Sequence, residues 1–290
     1  MKFVLIFFLI VSLLVILCTI RLNTPPPSEV VQAQPSATIT HLDIRPSPPP
    51  TLTPTPLIPD TGWTPLRLGL ERRIINLLDE EGKLLENIYL LRLDPSLYRF
   101  DVAYHPTEPR SLADWQAQTG ALIVLNGGYY REEENRLIPN GLTVIDGRPI
   151  GQSFGDFAGM FAVTEAGPEL RWLRQQPYNP AETLRAALQS FPLLIKPGGV
   201  LGFSAESEDG KQARRTALAQ DTDGRILLLV TSRGYFTLHT LSRYLTESDL
   251  TLDIALNLDG GTSSGLLLAD PAEAIPALLP LPIVIVVYEK

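Results

Sequence analysis

The sequence predicts a single α+β domain, with a mixed, largely antiparallel β-sheet core and flanking helices, preceded by a transmembrane anchor. Three observations predict it. Eight short runs rich in branched and aromatic residues are bounded by Gly, Pro and Asp, as strands are. Only three segments carry helical spacing or punctuation, and they do not alternate regularly with the strands, which argues against a doubly wound sheet. An unbroken apolar run opens the chain and is separated from the first strand by a Pro-rich stretch.

The first element is residues 1–22, in which Lys2 and Arg21 flank an apolar run from Phe3 to Ile20. Eighteen residues of helix reach ~27 Å, enough to cross a hydrocarbon core. A secretory signal has a shorter apolar region and a small-residue cleavage site close behind it. Here the nearest such site is "VQA", ending far downstream at Ala33, and bulky Leu17 argues against a lipoprotein role for Cys18. The expected reading is an uncleaved anchor holding the domain at the outer face of a membrane; cleavage would make the domain secreted.

Residues 23–62 form the second element and contain 11 of the chain's 26 prolines. Proline fixes φ and removes backbone donors, so the segment is expected to be a disordered, semi-extended linker. Residues 63–290 are the domain. The first 62 residues carry three basic and three acidic side chains, so the whole net charge of -8 belongs to the domain. No basic surplus exists to neutralise phosphates along a groove, which excludes a nucleic-acid partner. The sole cysteine, Cys18, precludes a disulfide within the domain.

The expected strands are 87–93, 98–104, 121–126, 159–164, 225–232, 254–258, 265–269 and 282–289. Several are apolar throughout, as strands buried on both faces are. The expected helices are three. "SLADWQAQTG" opens on an N-cap Ser111 and closes on Gly120; "NPAETLRAALQS" places Pro180 near a helix start; and "TLHTLSRYLTES" repeats Leu238, Leu241 and Leu245 at helical spacing.

Three polar, glycine-bearing segments adjoin these strands. In "LNGGYY", Asn126 ends a strand, Gly127 and Gly128 allow close backbone approach, and Tyr129 offers a flat face to a sugar ring. Alone, it is equally a glycine turn. In "ARRTA", Arg215 could hold phosphate oxygens, and alternation turns Arg215 and Thr216 to opposite faces. In "NLDGGTSSG", Asn257 and Asp259 precede Gly260 and Gly261, whose N–H groups could form an anion nest, and then Thr262, Ser263 and Ser264. Asp259 could be an acid, a base, a nucleophile or a metal ligand; the loop is equally a hairpin. His105 and His239 lack metal-ligand spacing, and no Walker loop, nucleophile elbow or HExxH is present.

Taken in order, these segments resemble the phosphodiester glycosidase family. The match runs through Asn126–Tyr130, then Gly141, Asp146 and Gly147, "FPLLIKPGG" around Pro192, Arg215–Ala217, and Asn257–Ser264, over roughly residues 85–290. Thr262 stands where many relatives have glycine, and Lys196-Pro197 replaces a more acidic or polar turn. The resemblance implies hydrolysis of a sugar-1-phosphodiester in extracytoplasmic glycan or exopolysaccharide metabolism. It implies Asp259 and Arg215 as catalytic residues. Asn126, Gly127, Gly128, Tyr129, Thr216, Asn257, Gly260, Gly261, Ser263 and Ser264 are implied to shape the substrate site. Whether Glu132, Glu133 or Glu134 supplies a second carboxylate is left open by the sequence, and with it the choice between inversion and retention. The reading fixes no cofactor and leaves room for a divalent cation. The alternatives are a non-catalytic polysaccharide-binding module, or a metal-dependent phosphodiesterase with a divalent cation on Asp259 and Asn257.

Overall fold

In the computed structural model, residues 57–155 and 158–290 are described; the expected anchor and nearly all of the expected linker lie outside them. Among the described residues no helix is long and apolar enough to cross a membrane.

Alternating burial organises the strands into three larger sheets and a hairpin, and every strand pairing described is antiparallel. The first sheet has eight strands, ordered Thr64–Arg67, Leu70–Leu78, Leu84–Leu93, Ile226–Thr231, Thr216–Asp221, Leu252–Asn257, Leu193–Lys196 and Val200–Leu201. The second has five: Gly167–Trp172, Gly159–Thr164, Ala186–Ser190, Thr143–Ile145 and Arg148–Ile150. The third also has five: Glu273–Ile275, Leu266–Leu268, Ile123–Asn126, Ile283–Glu289 and Tyr98–Tyr104. The hairpin pairs Tyr130–Glu133 with Arg136–Pro139.

One apolar cluster draws on all three sheets, with Leu91, Leu218 and Leu256 from the first, Phe161 and Leu188 from the second, and Phe100, Leu125 and Ile285 from the third. The intervening residues are buried as well, on the outer faces. Ile88, Leu90 and Ala217 pack with Leu241 and Leu245 of the helix Leu238–Glu247. Val124, Val284 and Val286 pack with Leu112 and Trp115 of the helix Leu112–Thr119. Burial on both faces is why so many strands read as continuous apolar runs.

The expected α+β class is overturned: the domain is mostly antiparallel β-sheet, with two helices among the described residues. Two of the three expected helices form. Ser111 caps the first through the Asp114 N–H, with Gly120 left-handed at its end, and Thr237 and Thr240 build a capping box on the second. The third expected helix is instead the strand Ala186–Ser190, buried at every position and paired on both sides. Ala186 and Leu188 face the central cluster, whereas Ala187 faces the outer one. Its residues favour helix intrinsically, but a strand buries both faces here and packing overrides propensity.

The last residues of the expected linker are tied to the first sheet. Arg73 donates to both oxygens of Asp60, and Asn76 N–H donates to the Pro59 carbonyl at 2.6 Å.

Candidate active site

Three strand ends converge: the end of Ile123–Asn126 in the third sheet, the start of Thr216–Asp221 and the end of Leu252–Asn257 in the first. The latter two are neighbours, with Ala217 opposite Asn257. Asn126 joins the sheets. Fully buried, it accepts from Thr216 Oγ1 at 2.8 Å and from Gly265 N–H at 3.0 Å, and its Nδ2 donates to the Asp259 carbonyl at 2.8 Å. The Asp259 N–H in turn donates to the Gly127 carbonyl at 3.1 Å. The glycine turn and the Asp259 loop are therefore pinned to each other through main chain and amide.

Asp259 is half-buried. Burial pushes its carboxyl above the usual carboxylate range, opposed by hydrogen bonds from Ser263 and the Gly260 N–H, the latter at 2.9 Å. The expected nest of free glycine N–H groups does not form. Gly260 N–H is spent on the Asp259 side chain, and Gly261 N–H donates to the Arg214 carbonyl at 2.8 Å. The glycines serve close approach instead. A Cβ on Gly260 would lie 3.0 Å from the Arg214 carbonyl, and Gly261 has φ +62°.

Arg215 and Thr216 do face opposite ways. Thr216 points between the sheets at Asn126, while Arg215 turns to the outer face. There its Nε donates to the Phe236 carbonyl at 3.2 Å and Nη2 to the Lys211 carbonyl at 2.5 Å. Nη1 lies 4.0 Å from the Cβ position of Gly260, beside the Asp259 loop. Arg215 is 6 % exposed, and no carboxylate lies within ion-pair distance among the described residues. Desolvation lowers its pKa, yet a guanidinium stays charged at neutral pH.

Tyr129 closes the group. Its hydroxyl accepts from Asn257 Nδ2 at 2.7 Å, and its ring stacks on Phe191 at 4.7 Å between centroids. Burial, then the charge of Asp259, push its phenol upward. Asn257 Nδ2 also donates to the Phe191 carbonyl at 3.1 Å, and Asn257 Oδ1 and Ser264 Oγ are buried without a hydrogen-bond partner.

Asn126, Gly127, Gly128, Tyr129, Arg215, Thr216, Asn257, Asp259, Gly260, Gly261, Ser263 and Ser264 thus belong to one neighbourhood, or to the turns that build it. Glu132, Glu133 and Glu134 do not join it; they are exposed on the hairpin, and Glu133 pairs with Arg131. Among the described residues no three His, Cys, Asp or Glu side chains cluster as a metal set.

Sequence reasoning missed three supports. Arg214 Nη2 donates to the Ser264 and Pro276 carbonyls and clamps the loop from below. Phe191 supplies the stacking partner of Tyr129. Glu86, fully buried, accepts from the N–H groups of Ser232, Arg233, Gly234 and Tyr235, fixing the turn that presents the Phe236 carbonyl to Arg215. The charge of Glu86 within an apolar strand was the available signal, since a buried carboxylate needs donors.

The family model described as phosphodiester glycosidase matches residues 119–288, a span that holds every residue of this neighbourhood. No curated protein matches. Among solved structures, the chain is similar to the zebrafish N-acetylglucosamine-1-phosphodiester alpha-N-acetylglucosaminidase catalytic domain auto-inhibited by its pro-peptide. The TM-score is 0.60 at 17% identity, covering 78% of this chain and 85% of that one. It is also similar to a hypothetical protein from Synechocystis, with TM-score 0.54 at 14% identity, covering 77% of this chain and 62% of that one. These likenesses establish a shared fold.

Proposed function

The chain belongs to the phosphodiester glycosidase family and is an enzyme that hydrolyses a phosphodiester-linked sugar; on that footing we propose that Arg215 and Asp259 carry the reaction. The observation that supports this most is a buried guanidinium in no direct ion pair, its Nη1 close to the loop that carries a half-buried carboxylate. A buried cation in no direct ion pair is costly; Glu208 and Asp209 offset part of that cost from a distance, and a phosphate oxygen at Nη1 would relieve more of it.

In this reading Arg215 holds the bridging phosphate and neutralises charge as it develops. Asp259 either directs water at the anomeric carbon or attacks that carbon first. The sugar C–O bond breaks, the electron pair leaves with the phosphomonoester, and the water oxygen ends on the sugar. Its raised pKa suits Asp259 to taking the water proton. Phosphate is a good leaving group without protonation, so one carboxylate suffices for the departure step. Ser263 orients the carboxylate, and Asn126 and Tyr129 shape the sugar site.

An extracytoplasmic glycan or exopolysaccharide as the substrate pool completes the proposal, with the domain tethered to a membrane through residues 1–22. The apolar run Phe3–Ile20 and the Pro-rich stretch behind it support that setting.

Turnover of a sugar-1-phosphodiester in ¹⁸O-water tests the chemistry. Label is expected in the released sugar; label in the phosphate would mean P–O cleavage and overturn the mechanism. Asp259→Asn is expected to lower kcat by about 100-fold or more with the fold retained. An unchanged rate refutes the assignment.

A further inference from the structure

Tyr129 has two sides. Its hydroxyl meets Asn257 in the active site, while its ring lines a neighbouring cavity of about 490 Å³. Trp172, Phe191 and Phe203 supply further aromatic walls, and Arg174 and Lys196 supply charge. Among the described residues no Asp or Glu lines it. Two cations thus share one cavity in a domain whose net charge is -8. Arg174 and Lys196 have no carboxylate within ion-pair distance among the described residues.

Attraction to the Trp172 ring does not explain the pair. The Lys196 ammonium is 5.5 Å and the Arg174 guanidinium 6.0 Å from its centroid, at the outer limit of a useful cation–π contact. Both cations therefore keep donors for another group. Lys196 ends the strand Leu193–Lys196 and Trp172 ends Gly167–Trp172, so the sheets themselves set both side chains at the cavity.

We propose that this cavity holds the part of the substrate flanking the scissile phosphodiester, and that this part is a sugar with an anionic group of its own, a carboxylate or a second phosphate. The inference rests on the phosphodiester-glycosidase reading of the adjoining site. Aromatic rings take the apolar face of a pyranose, and Lys196 with Arg174 take the anion. A repeating anionic glycan would satisfy both sites at once.

Matched α-hexose 1-phosphodiesters and α-N-acetylhexosamine 1-phosphodiesters that differ only in the aglycone test this. The aglycones are glucosyl, glucuronyl and 6-phosphoglucosyl. The wild type is expected to show kcat/KM about tenfold or more higher for a charged aglycone than for glucosyl, since one charge-assisted hydrogen bond is worth about that factor. Arg174→Gln with Lys196→Gln is expected to bring the ratio to about one. Preference for glucuronyl identifies a carboxylate, and preference for 6-phosphoglucosyl identifies a phosphate. A wild-type ratio near one, or a ratio that survives in the double variant, overturns the inference. Absence of turnover on every compound overturns instead the hydrolytic reading on which it rests.

Discussion

Replacing Asn126 by Ala should damage stability and rate together, because this one amide ties two sheets to the catalytic loop. The side chain is fully buried and serves Thr216 Oγ1, Gly265 N–H and the Asp259 carbonyl. The Thr216 hydroxyl can rotate toward another acceptor; the Gly265 N–H and the Asp259 carbonyl are backbone and cannot. Each buried polar group left unmade costs about 1–3 kcal/mol, so the two fixed groups give about 2–6 kcal/mol, a large share of a typical domain stability of about 5–15 kcal/mol. For a domain of this size that corresponds to a fall in Tm of roughly 4–24 °C. Urea denaturation followed by fluorescence of Trp63, Trp115 and Trp172 reads the change directly. Thr216→Val alone should cost about 1 kcal/mol. The double variant should lose less than the sum, since either substitution alone already removes the Thr216–Asn126 hydrogen bond. A loss below about 1 kcal/mol for Asn126→Ala, or strict additivity with Thr216→Val, would refute the role of Asn126 as the knot between sheets.

Arg215→Gln is expected to lower kcat/KM by about 10- to 100-fold, the worth of a charge-assisted phosphate contact, and Arg215→Lys to restore little because the carbonyl-anchored fork is lost; equal activity of the Lys variant would count against a bidentate hold. Asp259 gives a stability prediction of defined sign. Its folded-state pKa is raised, so its contribution is fully present below the unfolded value and is lost as pH rises through the folded one. Asp259→Asn should therefore melt no lower than wild type at pH 7, with the difference shrinking on acidification; thermal melts from pH 4 to 7 check this, and a variant that melts lower at pH 7 contradicts it. Glu86→Gln places an amide N–H₂ against backbone donors that now meet a carboxylate oxygen. The expected cost is about 2–4 kcal/mol with a rise in KM as the Phe236 carbonyl loosens from Arg215, measured by urea melts and initial rates. A site with one carboxylate among the described residues also predicts a rate indifferent to EDTA, and a chelator-sensitive rate restored by Mg²⁺ or Ca²⁺ would speak for the metal-dependent alternative.

The sequence made the core strands and the site segments readable for different reasons. Strands such as Ile226–Thr231 and Ile283–Glu289 are buried on both faces and stand out as apolar runs. Leu70–Leu78 did not, because Glu71, Arg72 and Arg73 interrupt its apolar pattern; Arg73 is buried there only by virtue of Asp60 and Asp249, partners distant in sequence. Ala186–Ser190 read as a helix because Ala, Leu and Gln favour one, and only the two flanking strands make it a sheet member. In the site, the polar strand ends were legible as residues, whereas their connections were not. That Gly261 N–H would go to Arg214, or that Glu86 would organise residues 232–235, depends on chain crossings that no local pattern encodes.

Those connections also decide what the loop can do. With the Gly260 and Gly261 N–H groups already committed, positive potential for a phosphate has to come from the guanidinium of Arg215 rather than from main chain. That guanidinium is held by the carbonyls of Phe236 and Lys211, neutral acceptors that fix its plane without cancelling its charge. A carboxylate in the same position would have fixed it as well and made it blind to a phosphate. Glu208 and Asp209 act on that charge only from beyond ion-pair distance, so the free enzyme still carries a desolvation cost at Arg215, and binding of an anion is the event that lowers it.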